Sequence, residues 1–359
     1  MSNQHQTVNP NMVILGRESR GLSQKELAEK LDVTQGRISK IEQGLLAVPE
    51  DLLESLSNVL NYPPHFFLQE GDLVGVGIAE IFHRKRQDVP KGELAKIYAQ
   101  IEIRLRHIEV LLREKDLRIT VRRFDIDEYD GNVEKIAQLV REAWKLPLGP
   151  INDLTETVEK AGILVVPMDF GSKRVDAISR WVPGFPPVMF VNIHSPKDRY
   201  RYSLAHELGH IVMHELPNPD IEEQANLFAA EFLLPGEVIR AELLDLNLAK
   251  LVRLKRYWKV SMAALLMRAQ GLGAISSNHS RYLWMQMAKL GYKTREPVEL
   301  DIKGEQPSLL KKQIDAFLKN HGNNVTNLSE ALALNEGELI AWYFDAYDQS
   351  PSRMTHLQA

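Results

Sequence analysis

The chain has 359 residues and a formal net charge of −4, so it can hold two or three domains with cores of their own and shows no overall charge bias toward nucleic acid. It contains no cysteine, which excludes disulfides and thiolate metal sites. The N-terminus is polar and lacks a targeting segment, and no apolar run nears the roughly 18 residues that cross a bilayer, so a cytoplasmic protein is expected.

Residues 1–70 read as a small all-α unit. Ser23 is an N-cap with Glu26 three residues on, and Leu27, Ala28 and Leu31 have core spacing. After a turn at Asp32-Val33, Thr34 caps a second short helix from Gln35 to Gln43, with Ile38 and Ile41 inward and Gly44 as its stop. Two short helices with this junction predict a helix-turn-helix, the alternative being a helical protein-interaction module. The wording Ser-Gln-x-Glu-Leu-Ala from Ser23 and Thr-Gln-x-x-Ile-Ser-x-Ile-Glu-x-Gly from Thr34 resembles the XRE, phage-repressor-like class. That resemblance implies binding to an operator in double-stranded DNA, with the second helix in the major groove. Gln35 and Lys40 then match base-contacting positions, Arg37 and Ser39 assist, and Gln24 matches a phosphate contact. Gly36 departs from the usual polar reader. Acids at Glu18, Glu26, Glu29 and Asp32 nearly offset the bases of this unit, so a homodimer is expected to supply the affinity.

Residues 71–118 are expected to hold a glycine-spaced link, Gly71 to Gly77, and one long amphipathic helix. Leu94, Ile97, Ile101, Leu105, Ile108, Leu111 and Leu112 mark its stripe between Lys91 and Lys115, which predicts core packing rather than pairing with another subunit. Beyond it, a helix near Asn152 to Ala161 precedes a short apolar strand, Ile163 to Pro167. Ala177 to Val182 and Val188 to Asn192 flank a Pro- and Gly-rich loop and predict a β-hairpin, whose free edge is expected to accept substrate as an added strand.

His206-Glu207-Leu208-Gly209-His210 carries the most chemistry. Histidines four apart on a helix share one face about 6 Å apart along the axis, where both reach one metal. The intervening carboxylate can then act as a base toward a water that the metal acidifies. Tyr202, Ala205, Leu208 and Val212 make the stripe of a buried amphipathic helix from about Asp198 to Glu215, where such polar groups call for a partner. His214 continues the series, but its axial rise of about 12 Å from His206 disqualifies it as a ligand to the same ion. It reads as a C-terminal residue suited to the helix dipole. After Pro217-Asn218-Pro219, Asp220 is expected to cap a second helix with Ile221, Ala225, Phe228, Ala229 and Phe232 inward. Glu222 in its first turn competes for the third ligand position, helped by Ala225 and Ala229, which allow close helix approach. Asn226 is then placed to orient a ligand from behind.

The run from Arg199 through His206-Glu207-Leu208-Gly209-His210, followed by Glu222-Glu223-Gln224-Ala225-Asn226 and on to Leu234-Pro235, resembles the ImmA/IrrE family of zinc metallopeptidases. The resemblance implies Zn²⁺ held by His206, His210 and Glu222, with Glu207 as general base. It also implies endopeptidase action on a protein substrate, commonly a repressor. The donor for the oxyanion stays open among Tyr200, Tyr202 and His214, which are near in sequence.

After Pro235 the chain predicts helices. Leu251 to Trp258 with Ser261 to Gln270, and Asn327 to Leu334 with Glu336 to Tyr347, form turn-linked pairs without a basic reading face, expected to serve packing or partner binding. The predicted fold is therefore mainly α with a small sheet (α+β). It comprises a helix-turn-helix domain at 1–70, the link and long helix at 71–118, a zincin-like metallopeptidase domain at 119–275 and a helical region at 276–359. A regulator that binds DNA and cuts a protein is the first functional reading. The alternative is a repressor or antitoxin that uses the peptidase fold to hold a cognate toxin, another partner or a ligand.

Overall fold

A computed structural model describes residues 7–71, 89–113, 117–216 and 218–347. Apart from Gly71, the expected link lies outside the described residues, as does Lys115. The fold is α+β, as predicted. Four helices open it: α1 (Pro10–Ser19), α2 (Gln24–Lys30), α3 (Gln35–Glu42) and α4 (Glu50–Leu60). The Ser23/Glu26 capping box closes both ends of its hydrogen-bond pair at the start of α2, Thr34 accepts from the Arg37 amide to start α3, and Gly44 follows α3 at φ 72°.

The long helix α5 (Lys91–Leu112) comes next, then α6 (Val133–Ala143), α7 (Leu154–Lys160) and a three-stranded sheet of β1 (Leu164–Met168), β2 (Ala177–Arg180) and β3 (Val188–Asn192). Two helices follow that matter most here, α8 (Lys197–Met213) and α9 (Ile221–Leu233). The rest is helical: α10 (Gly236–Glu242), α11 (Leu248–Trp258), α12 (Met262–Gly271), α13 (Ser277–Lys289), α14 (Leu309–Asn320), α15 (Val325–Leu332) and α16 (Glu336–Tyr343). Among the described residues, no helix is long and apolar enough to cross a membrane.

The sheet order is β1-β3-β2, with β1 parallel to β3 and the expected hairpin partners β2 and β3 antiparallel, Ala177 opposite Val191 and Arg180 opposite Val188. All fourteen strand residues are buried, because helices cover both faces. Strand alternation sorts them into two cores. Leu164, Val166, Ile178, Val188 and Phe190 join α5, the N-terminal helices and the C-terminal helices in one core. Val165, Ala177, Met189 and Val191 join α8, α9 and the helices after them in the other.

The long helix departs from the single-stripe expectation. Tyr98, Ala99 and Ile103 off the stripe are buried as well, along with the polar Glu102, Arg104 and His107. Its surroundings explain this: α1, the sheet and the C-terminal helices enclose it on several sides. Each buried polar group has found a partner. Glu102 meets Arg180 of β2 at 3.5 Å, the Arg104 guanidinium stacks 3.6 Å from the Trp342 ring centroid, and His107 Nδ1 lies 2.7 Å from the Tyr343 hydroxyl.

The last helices clasp the N-terminal unit, which gives them the packing role predicted for them. Arg20 donates to both Glu338 oxygens at 2.6 and 2.7 Å while stacking on Tyr62. Asn335 donates to Asn61 Oδ1 at 2.8 Å. Gln100 of α5 adds a hydrogen bond to the Ser19 carbonyl at 3.1 Å.

Burial and the neighbouring Arg104 charge push His107 down to about 3. An unfolded histidine takes up a proton near its ordinary value of about 6.5, so between these values the unfolded chain binds more protons and stability falls as pH falls. Stability should therefore drop by about 1 kcal/mol per pH unit below about 6.5 from this group alone. His107→Gln, which retains a polar contact for Tyr343, should flatten that part of the pH profile of thermal unfolding relative to wild type.

Candidate metal centre and nucleic-acid interface

The residues singled out for DNA lie at or near the surface of the α2–α3 unit. Gln35, Gly36 and Lys40 are exposed, with Arg37 and Ser39 half-buried beside them. Gln24, at the first turn of α2, is tied to this helix: Gln35 Nε2 donates to Gln24 Oε1 at 2.7 Å, and Gln24 Nε2 donates to Glu42 Oε2 at 2.7 Å. Glu42 is itself buried and receives Arg17 at 2.6 and 3.0 Å. The chain Arg17–Glu42–Gln24–Gln35 thus fixes the two glutamines before any ligand arrives. Sequence reasoning missed Arg17 and Glu42, since their partnership spans 25 residues. A Cβ at Gly36 would meet no neighbour within 4 Å, so this exposed position of α3 faces open space.

The second site forms where α8 crosses α9. Gly209 permits the approach. A Cβ at this position would stand 3.2 Å from Phe228 Cβ and 3.3 Å from the Ala225 Cα, tighter than ordinary contact. Buried Ala225 and Ala229 keep the facing side of α9 thin, as predicted. Buried ion pairs hold the two helices: Asp198 of α8 with Lys255, Arg201 of α8 with Glu305, and Glu231 of α9 with Arg268. Asp220 differs from expectation. At φ −98° and ψ 5° it lacks the extended backbone of an N-cap, and its side chain makes no capping bond.

This crossing brings His206, His210 and Glu222 together, with one donor atom of each within 4.8 Å of the others. The two Nε2 atoms are 3.0 Å apart, and each lies 3.7 Å from a Glu222 oxygen. Both distances are below twice a zinc–ligand bond of about 2.1 Å, so one ion could touch all three. The other ring nitrogens are already engaged. His206 Nδ1 faces Asn226 Oδ1 at 3.1 Å, and His210 Nδ1 faces His214 Nδ1 at 3.0 Å. Asn226 Oδ1 can only accept, so it holds a proton on His206 Nδ1, and in the neutral ring Nε2 is then the nitrogen left to serve as a ligand. Two imidazole nitrogens and a carboxylate oxygen at these separations are a donor set that fits a divalent metal. The ligand groups are unevenly covered, with side-chain exposures of 13% for His206, 6% for His210 and 32% for Glu222, so the centre opens on the Glu222 side.

Glu207 is 3% exposed and sits under β2, where the Ser179 hydroxyl donates to its Oε2 at 2.5 Å. Burial pushes its carboxyl above the usual carboxylate range, with the His206 charge and the Ser179 bond opposing. Ser179 was not foreseen, because only the sheet brings residue 179 over α8. The candidates for an oxyanion donor separate clearly. Tyr200 is half-buried with its hydroxyl 3.0 Å from Thr155 Oγ1, which engages it away from the centre. The Tyr202 hydroxyl donates to the Asn226 carbonyl at 3.3 Å. His214 is the extended residue ending α8, and burial lowers it to about 4.

Residues 158–270 match the IrrE N-terminal-like domain family, a peptidase family, and residues 15–67 match the helix-turn-helix family. The chain joins a helix-turn-helix domain to an IrrE N-terminal-like domain. The IrrE-like match covers both helices that meet at the metal centre and all three strands beside it. Two curated relatives, described as uncharacterized HTH-type transcriptional regulators of Sinorhizobium medicae and Rhizobium meliloti, are each 37% identical over 70 residues, 18% of this chain. The chain spans about half the length (50%) of each.

The helix crossing of the IrrE-like domain gives a direct test. Gly209→Ala should force α8 and α9 apart by a few tenths of an ångström and cost about 1–3 kcal/mol. Denaturant melts should show that loss, and chelator competition should show weaker divalent-metal binding. Wild-type values in both would mean that the helices need not lie this close.

Proposed function

We propose that the chain is a DNA-binding regulator whose IrrE-like domain is a single-zinc endopeptidase acting on a protein, such as a repressor. The observation that carries this reading is the convergence of His206, His210 and Glu222 at the open side of a crossing whose buried carboxylate, Glu207, lies under an edge strand. Zinc held by the three would supply a Lewis acid for a peptide carbonyl and acidify the attacking water. Glu207 takes the proton of that water and returns it to the leaving amine, while Ser179 holds the carboxylate in place. Strand β2 is an edge of the sheet and its Ser179 meets Glu207, so a substrate segment laid along that edge in extended form would pass beside the centre. An operator in double-stranded DNA is read by Gln35 and Lys40 from α3, with Arg37 and Ser39 beside them, Gln24 on phosphate and two copies of the chain acting as a dimer. These activities belong in the cytoplasm, where repressors and operators meet.

One observation favours a second reading, a non-proteolytic repressor or antitoxin whose peptidase fold holds a toxin or other partner. Arg123 stacks on Trp181 just past β2 and already donates to the Trp181 carbonyl at 3.2 Å, which shortens the edge left for a peptide. The two readings part in one experiment on purified full-length protein. Wild type should contain about one zinc per chain and cut the product of a neighbouring repressor gene, and Glu207→Gln should keep the zinc and lose the cutting by at least about 10³-fold. Zinc and partner binding without cleavage in both proteins would select the second reading. For the DNA function, Gln35→Ala should cost about 1–3 kcal/mol of operator affinity by fluorescence anisotropy and relax the preference at one base position. Unchanged binding would exclude Gln35 as a base reader.

A further inference from the structure

The polar contacts behind His210 have a direction. A neutral imidazole carries one proton and offers one lone pair. His210 Nε2 is the nitrogen that faces His206 Nε2 and Glu222, so a metal there requires its proton on Nδ1. That Nδ1–H points at His214 Nδ1, 3.0 Å away, which must then be bare. The His214 proton is left on Nε2, and an acceptor waits there: Gln224 Oε1 at 3.0 Å. The Gln224 amide is oriented in turn, since Asn218 Nδ2 donates to the same oxygen at 3.3 Å, which turns the carbonyl rather than the NH₂ toward His214. With both rings neutral, the line avoids an acceptor facing an acceptor only if His210 keeps Nε2 free, since the reverse arrangement would set a bare His214 Nε2 against Gln224 Oε1.

We propose that His214 and Gln224 form a hydrogen-bond relay that holds the His210 ring in the one tautomer and orientation able to lend Nε2 to a metal, making His214 a positioning residue and not a ligand. The inference rests on the proposed metal centre and deepens it. Helix α9 then does three jobs within its first two turns: Glu222 supplies a ligand, Asn226 orients His206 directly, and Gln224 orients His210 through His214. Glu222 and Asn226, four residues apart, share one face of α9, while Gln224 lies off that face and meets His214. His214 can serve because α8 ends at it, with an extended backbone (φ −110°, ψ 106°), and because it is only 5% exposed, so water does not compete for its nitrogens.

The test uses the full chain and compares four substitutions by zinc competition against a chromogenic chelator. Gln224→Leu removes the acceptor, and Gln224→Lys replaces it with a donor. Each should weaken zinc binding about 10- to 100-fold, as should His214→Phe. Gln224→Glu keeps an acceptor and should bind zinc at least as tightly as wild type. Gln224 is half-exposed, so its variants are expected to fold and decide the matter even if His214→Phe does not. Long-range ¹H–¹⁵N spectra of zinc-loaded wild type should show His214 neutral with its proton on Nε2. A His214 proton on Nδ1, or wild-type zinc affinity in both the Leu and Lys variants, would overturn the relay while leaving the metal centre intact. Wild type that binds no zinc would overturn both.

Discussion

The closeness of α8 to α9 is the constraint from which the grouping of His206, His210 and Glu222 follows. Two histidines one turn apart can face the same point on any helix, but a carboxylate from another element joins them only if that element lies nearly at backbone contact. Gly209 and Ala225 make this possible by presenting almost no side chain at the crossing. The gap is too narrow for a larger residue, and well-packed interiors yield little to extra atoms. The buried ion pairs of Asp198, Arg201 and Glu231 lie on the same two helices. Their contribution is registry more than net stability, since desolvation offsets much of what a buried pair gains.

The sheet is small but decides how the halves of the chain relate. Each of its faces belongs to a different core, so β1, β2 and β3 are a partition through which neither side can shift alone. On one face lie α8 and α9 with His206, His210 and Glu222. On the other lies α5, continuous in packing with the helix-turn-helix domain. Strand β2 touches both sides: Ser179 holds Glu207, and the next residue, Arg180, meets Glu102 of α5. The N-terminal unit is accordingly seated rather than tethered. Arg20 and Glu338 join its first helix to α16, and burial of that pair beside Tyr62 makes the junction specific to one orientation.

Polar groups at both sites are set in advance by chains of hydrogen bonds. In the helix-turn-helix domain, Arg17, Glu42, Gln24 and Gln35 form a line that holds Gln35. At the metal centre, Asn226 and the His214–Gln224 pair occupy the rear nitrogens of the two rings. Both arrangements reduce the conformational freedom lost on binding, and both use a neighbouring helix as the anchor.

Local pattern determined a large part of this protein. The capping box at Ser23, the turn before Thr34, the strands around Pro183 to Pro187 and the helical spacing of His206 and His210 are encoded within a few residues of one another, so sequence alone located these elements. The companion helix with Glu222 and Asn226 was legible for the same reason, through its apolar spacing. Tertiary structure alone decided what depends on contacts between distant segments. It put Ser179 over Glu207, paired Arg17 with Glu42 and buried Glu102, Arg104 and His107 of a helix whose sequence shows one stripe. It also left Asp220 without a cap and gave His214 a partner in Gln224. Periodicity reports which face of an element is apolar but not how many neighbours will surround it, nor which polar side chains those neighbours bring.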